Sequence, residues 1–512
     1  MRNVEGNLVH VRVRRIPDMH ALTPAGTNEG DAAETRLPAP ELPLLTRLSE
    51  PQAAEMIERY IDYVSGENLQ SVHLAAPFVR HFIDRTDNVL PLVAAVVTLP
   101  MVLSDGTVLG GNGLIGDRGI VARIPAELAA YIPTAKQCQP NAVKNAMKFL
   151  IEEWLVDVAT DFTGKCVLLA AALTMIERSL LSDRPAFFVT AGRRGGGKTT
   201  TLVMLLTAIT GVRPAAAAWS PNEEERRKAL LSYLMEGLPC IIWDNIPRGS
   251  QLSCPHIERA CTTAFYSDRR LGASEMVTVP ASTVHLFTGN NVGPRGDLAS
   301  RSLIARLEVD RADPENREFN HADPIAWTEA NRGRILCAVF TLLLGNPDLR
   351  AKPHPPQKTR FKLWMLLVGR AIENGAKQIG QTIDFAELFV RQEEDDEDGA
   401  ALGDVLEAMA SAWPSKDWKK GDKFTAAELA MVLNDRSEYA TNEALELSAT
   451  IRDFLYPDTP HSQTVGAKSL GKALKKHVGE PVRHGTRTLI LKEYKDPRGG
   501  PNGTLSYYIA GA

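Results

Sequence analysis

The stretch Phe187–Val203, FFVTAGRRGGGKTTTLV, sets the tightest limit on how this 512-residue chain folds. The apolar run PAFFVTA reads as a buried strand and TTTLVMLLTAI as a buried helix, joined by a short glycine-rich loop. Gly192, Gly195, Gly196, Gly197, Lys198 and Thr199 fit the spacing G-x-x-x-x-G-K-[ST] without a gap. Glycines let backbone N–H groups turn inward around a phosphate, where a side chain would block the approach. The helix N-terminus adds the positive end of its dipole. In such a loop Lys198 reaches the β- and γ-phosphates, the Thr199 hydroxyl holds Mg²⁺, and Thr200 completes the phosphate-binding set. The expected cofactors are ATP and Mg²⁺.

Companion residues follow in order. The apolar run LPCIIWDN ends at Asp244, placed to hold Mg²⁺ through water, and STVHLFTG ends at Asn290, placed to orient an attacking water. GDLASRSLIARLEV then presents Arg301 at a helix-to-strand junction, as an arginine finger is offered to a neighbouring subunit. Arg306 lies inside the strand and reads as a structural charge. Asn245 follows Asp244 where many such sites carry a second carboxylate, and an amide orients water but takes no proton. Glu225, in PNEEERRKALLSYLMEG, is either the base or a solvated helix acid.

The order of phosphate loop, IIWDN, TGNN and GDLASR resembles the ATPase cores of superfamily 3-type helicases within the AAA+ class. It looks closest to helicase-like ATPases of phages, plasmids and integrative elements, often fused there to a primase. DRRLG, NREF and KTRFKLW are also similar to that family, and the likeness spans roughly residues 85–400. It implies a P-loop NTPase core in a homo-oligomeric ring, expected as a hexamer, with nucleotide bound between subunits. It also implies a motor acting on single-stranded or forked DNA. Arg269 and Arg270 fall where such rings carry a DNA-gripping hairpin, and Arg360 could serve as a lid arginine.

The remaining chain is read as an arm (1–45), a small α/β domain (46–135), the ATPase core (136–320), a helical lid region (321–414) and a C-terminal domain (415–512). The last has a helix with an N-cap at Thr425, the helix Ser469–His477 and a terminal hairpin, which together spell a winged helix. From His461 onward nine lysines and arginines oppose three acids, although the whole chain carries a formal net charge of −4. Lys472, Lys475 and Lys476 share or flank one helix face, suited to a phosphate backbone.

Six scattered cysteines form no CxxC pair and no zinc spacing, which fits a cytoplasmic location; no apolar run suits a signal peptide or membrane span. No primase zinc motif is evident, so a primase or polymerase partner is expected on another chain. Together these features predict an ATP-dependent DNA helicase or replication ATPase of a mobile element. The rivals are an initiator or loader that binds DNA without unwinding, and a DNA-binding regulator whose ATP site sets its oligomeric state.

Overall fold

The structure, a computed structural model, describes residues 1–3, 7–15, 41–85, 90–115, 119–192, 195–211, 216–270, 275–308, 319–394, 397–412, 423–435, 442–456, 460, 463–479, 481–484, 487–495 and 505–511. They form two compact units, Met1–Phe389 and Val390–Ala512. The second unit thus begins well before the boundary at 415 that composition suggests. The acidic run 392–399 hides the break, because the helix after it looks like a continuation of the lid.

Near the start of the first unit, β1 (Val9–Arg15) pairs antiparallel with β2 (Glu41–Arg47). The arm read to residue 45 therefore ends in a strand, with Pro43 opposite Val13 where the two-stranded ladder leaves an edge free. A small sheet follows, in which β3 (Ala95–Val97) and β4 (Gly113–Ile115) flank β5 (Ile120–Ala122).

The centre of the unit is a five-stranded parallel sheet with helices against it, a mixed α/β architecture. Its strands are β6 (Ala186–Ala191), β7 (Ala216–Ala218), β8 (Cys240–Ile246), β9 (Val284–Asn290) and β10 (Ser302–Leu307), in the spatial order β7-β8-β9-β6-β10. All six residues of β6 are buried. Phe187, Val189 and Ala191 point into one core, Ala186 and Phe188 into the other, as the period of two requires.

The first core is built on α1 (Phe162–Glu177) and α2 (Lys198–Thr210). Asp161 caps α1 by accepting the Gly164 N–H at 2.7 Å. Gly211, at φ +75°, ends α2, and the Arg332 guanidinium donates to the last carbonyls, Ala208 O and Ile209 O. On the opposite face lie α3 (Glu223–Glu236), capped by Asn222, and α4 (Pro255–Cys261). Between β8 and β9 the chain also forms an antiparallel hairpin, Phe265–Arg269 with Met276–Pro280.

In the second unit a four-stranded antiparallel sheet packs against four helices, the first of them Glu397–Ala412. Phe424–Thr425 starts the sheet, and a capping box between Thr425 and Glu428 opens the helix Ala426–Asn434. Helices Asn442–Leu455 and Ala467–Lys475 follow, then strands Pro481–His484, Arg487–Lys495 and Leu505–Gly511. The glycine- and proline-rich tip between the last two strands lies outside the described residues. Among the described residues no helix is long and apolar enough to cross a membrane.

Two buried titratable groups give the first unit an opposed pH response. Glu177 accepts the Val102 N–H at 2.9 Å through one oxygen, and burial pushes its carboxyl up to about 8. His285 accepts from the Trp243 indole at 3.3 Å, and burial pulls its ring down to about 3. Between pH 4.5 and 8 the native state holds the Glu177 proton that the unfolded chain releases, so stability falls as pH rises through that window. Below pH 6.5 the unfolded chain protonates His285 first, so stability also falls on acidification. Glu177→Gln, which cannot ionise, should therefore gain on the parent by a few kcal/mol between pH 4.5 and 8, read by thermal melting across that range.

Candidate nucleotide site

The loop after β6 leaves the sheet between two neighbours that are in register with it. Ala191 is paired with Asn290 on β9 and with Leu307 on β10. Gly192 follows; Arg193 and Arg194 lie outside the described residues. Gly195 and Gly197 take φ of +75° and +83°, values L side chains rarely adopt, and Gly196 is buried. The chain then enters α2 at Lys198, with Thr199 exposed and Thr200 half-buried on its first turn. The first-turn N–H groups of α2 thus face the loop at the carboxyl end of a parallel sheet, where such folds bind ligands.

Lys198 Nζ donates to Asn290 Oδ1 at 2.8 Å, so two sequence-predicted residues from distant segments meet directly. Partial burial lowers the Lys198 ammonium from its ordinary value, and the negative charge of Asp244 acts in the opposite sense. Asp244 is half-buried near the end of β8. There the β8–β9 register breaks between Trp243 and Ile246, a bulge that re-aims the side chains on either side of it. Asn245 sits in the bulge at φ +60°, exposed, and its N–H donates to Asp244 Oδ1 at 2.7 Å.

Asn291 is also left-handed, at φ +51°, and its N–H donates to Ala191 O at 3.0 Å. Both asparagines stand at or near strand ends, Asn291 beside Gly192, and such conformations persist only where the surroundings hold them. Beneath the site, Phe188 stacks on Phe287 with centroids 4.5 Å apart, and Trp243 stacks beside it at 6.5 Å. This aromatic layer gives the loop, Asp244 and Asn290 a common rigid floor. Neither left-handed asparagine nor the Lys198–Asn290 contact is a reading of the sequence; Asn-Asn at a strand end was the one signal available for Asn291.

The donor set suits a small hard cation. The Thr199 hydroxyl and Asp244 carboxylate are oxygen ligands, few in number, which leaves room for the waters and phosphate oxygens that Mg²⁺ keeps. Glu225 is occupied by Lys228 at 2.7 Å on the exposed face of α3.

Arg301 lies elsewhere. It ends the short 3-10 turn Gly296–Arg301, and Ser302 after it pairs with Ala186, the first residue of β6. The glycine loop leaves from the last residue of β6, so about five residues of strand, on the order of 17 Å, separate the two positions. The Arg301 guanidinium pairs with Asp297 at 3.1 Å and faces Glu258 at 3.9 Å.

Arg269 and Arg270 are both exposed on the hairpin, whose tip at 271–274 is outside the described residues. Asp268, between Tyr266 and Arg227, ties the tip-proximal end of that hairpin to α3. In the second unit Lys472, Lys475 and Lys476 are exposed with Lys468, while Leu470 and Leu474 of the same helix are buried. The helix therefore presents a basic face away from its own core.

No protein-family model matches the chain, and no curated protein matches it. An apo structure of the C-terminal region of NrS-1 is similar to it at 13% identity and a TM-score of 0.36, covering 91% of this chain and 94% of that one. At that distance the likeness carries no argument about function.

The left-handed bulge gives a direct test. Asn245→Gly should be neutral or slightly stabilising, whereas Asn245→Val, β-branched at positive φ, should cost about 1–3 kcal/mol. Urea unfolding of the two variants beside the parent measures the difference.

Proposed function

We propose that this chain is an ATP-dependent DNA helicase or replication ATPase with a P-loop NTPase core of the AAA+, superfamily 3-like type, working as a homo-oligomeric ring. The observation that carries the reading is the meeting of Lys198, at the first turn of α2, with Asn290, at the carboxyl end of the adjacent parallel strand. A lysine so placed, partly desolvated and held by a neutral amide, is poised to exchange that amide for a phosphate oxygen.

In this reading the N–H groups around Gly195, Gly196 and Gly197 and the first turn of α2 bind the β- and γ-phosphates of ATP. Lys198 Nζ, released from Asn290, places a positive charge on them, and Asn290 Oδ1 becomes free to accept from the attacking water. Thr199 and Asp244 would hold Mg²⁺, which when bound neutralises charge on the phosphates. Asn245 exposes an amide next to Asp244 and can orient water, but it takes no proton. Arg301, at the far edge of its own sheet, serves the nucleotide of a neighbouring subunit. The second unit, proposed as a winged helix, contacts DNA phosphates through Lys472, Lys475 and Lys476; Arg269 and Arg270 contact the strand being moved.

Lys198→Ala should lower ATP turnover roughly a thousandfold or more, since a point charge on the transferring phosphate is lost. Turnover within tenfold of the parent would overturn the phosphate-loop assignment. Replacing Lys472, Lys475 and Lys476 together by Glu should weaken duplex binding and cut the slope of log affinity against log salt by about 2–3, with basal ATPase unchanged. A titration at several salt concentrations reads both. A fork-unwinding assay on the same preparation separates a helicase from a loader or a regulator, which would hydrolyse ATP without displacing a strand.

A further inference from the structure

Arg301, partly buried, is held differently from the buried arginines Arg184 and Arg452. Arg184 is 1% exposed and spends its donors on the carbonyls of Leu181, Thr263 and Ala281. Arg452, 2% exposed, gives its donors to Leu433 O, Gln463 O and Asn434 Oδ1. In both, the terminal nitrogens are taken up by neutral acceptors, as in a structural guanidinium of a core, although the Arg184 Nε has no hydrogen-bond partner among the described residues. The Arg301 terminal nitrogens instead face two carboxylates. Its Nε, like that of Arg184, is buried without a hydrogen-bond partner among the described residues. Its Nη1 stands 3.9 Å from Glu258 Oε2, close enough for charge attraction and too far for a hydrogen bond. Only Nη2 is engaged at short range, by Asp297 at 3.1 Å.

The two carboxylates are unlike each other. The Glu258 side chain is 8% exposed, and its Oε1 is fixed by the Cys254 N–H at 3.0 Å and the Ser253 hydroxyl at 3.1 Å. It cannot move far, and its remaining oxygen is aimed at Arg301. The Asp297 side chain is 66% exposed, one helical turn before Arg301, where water screens its attraction. One acid is built into the fold and the other sits at the rim. A guanidinium with an orphaned donor, backed by a fixed charge and covered by a loosely held one, is an incompletely filled anion site.

We propose that Glu258 is a positioning residue that aims Arg301 outward, and that Asp297 occupies the guanidinium until a phosphate of a neighbouring subunit's nucleotide displaces it. The inference rests on the reading of Arg301 as an arginine acting in trans. Glu258 holds the guanidinium from behind through charge at a distance, so its loss leaves the arginine present but free to turn toward Asp297. Asp297 competes with the incoming phosphate for the same Nη2, so its loss leaves the arginine available.

The test uses full-length chains in steady-state ATPase assays, alone and in mixtures with Lys198→Ala. Glu258→Gln keeps an acceptor for Cys254 N–H and Ser253 and removes only the charge. It should lower kcat roughly tenfold with KM for ATP within twofold, because its own phosphate loop is intact. Mixed with Lys198→Ala, it should regain hydrolysis, since its loop then meets an undisturbed Arg301; a subunit merely damaged in folding would not. Asp297→Asn should hold or raise kcat and lower the protein concentration giving half-maximal turnover by severalfold. Arg301→Ala mixed with Lys198→Ala is the control: if both assemble and exchange subunits and the mixture stays inactive, the trans reading itself fails. If that control regains activity while Glu258→Gln turns over within twofold of the parent, or is inactive and not restored by mixing, Glu258 does not position Arg301. If Asp297→Asn loses as much kcat as Arg301→Ala, Asp297 supports the arginine and does not cover it.

Discussion

Strand β6 is buried on both faces, and that constraint organises the first unit. Its odd and even residues enter different cores, so the strand cannot slip by one residue without exchanging Phe187 and Val189 for Ala186 and Phe188. Its neighbours are fixed with it: Phe188 stacks on Phe287 of β9, and Ala186 is paired with Ser302 of β10. Because the register is set so firmly, the position where the chain leaves the sheet is set too. Ala191 ends level with Asn290 and Leu307, and the glycine loop begins from a platform whose edges belong to two other strands.

From this follows the distribution of strain. The described residues Asn245 and Asn291, both at positive φ, occur at or near the carboxyl ends of apolar strands. Asparagine tolerates the left-handed region better than most residues, and its amide can serve the site at the same time. The bulge between Trp243 and Ile246 does for β8 what the Asn290–Asn291 turn does for β9. Each converts a strand made for burial into a support for a polar group at its tip.

Legibility in the sequence divides along the same physical line. The glycine loop is a local pattern, since the eight consecutive residues 192–199 carry both the backbone demand for glycine and the lysine, and so its place between a strand and a helix can be read directly. Asp244 and Asn290 could be placed at strand tips because apolar runs end there. Their mutual arrangement could not, because β8, β9 and β6 are brought together by tertiary packing that no local spacing encodes. The same holds for Glu258, which looks like one acid in a short helix until α4 folds its carboxylate toward Arg301. The division at Phe389–Val390 is not legible in the sequence for a different reason: Leu402, Val405, Leu406 and Met409 make a helical stripe indistinguishable in composition from the helices before it. Only their partners, Leu429, Leu470 and Leu491 among them, assign that helix to the second unit.

The sheet also imposes a separation that chemistry has to respect. The glycine loop and Lys198 stand at the carboxyl ends of the strands, and Arg301 stands where β10 begins, at the amino ends. A guanidinium reaches about 7 Å from its backbone, well short of the span of a six-residue strand. No rotamer change brings Arg301 to the loop of its own chain while β10 stays paired with β6, and unpairing β10 would expose Leu303, Ala305 and Leu307 from the core. The rigidity that fixes the glycine loop and Lys198 therefore keeps Arg301 of the same chain out of their reach. A phosphate held by the glycine loop of the same chain is out of reach of Arg301, and any anion it meets must come from elsewhere.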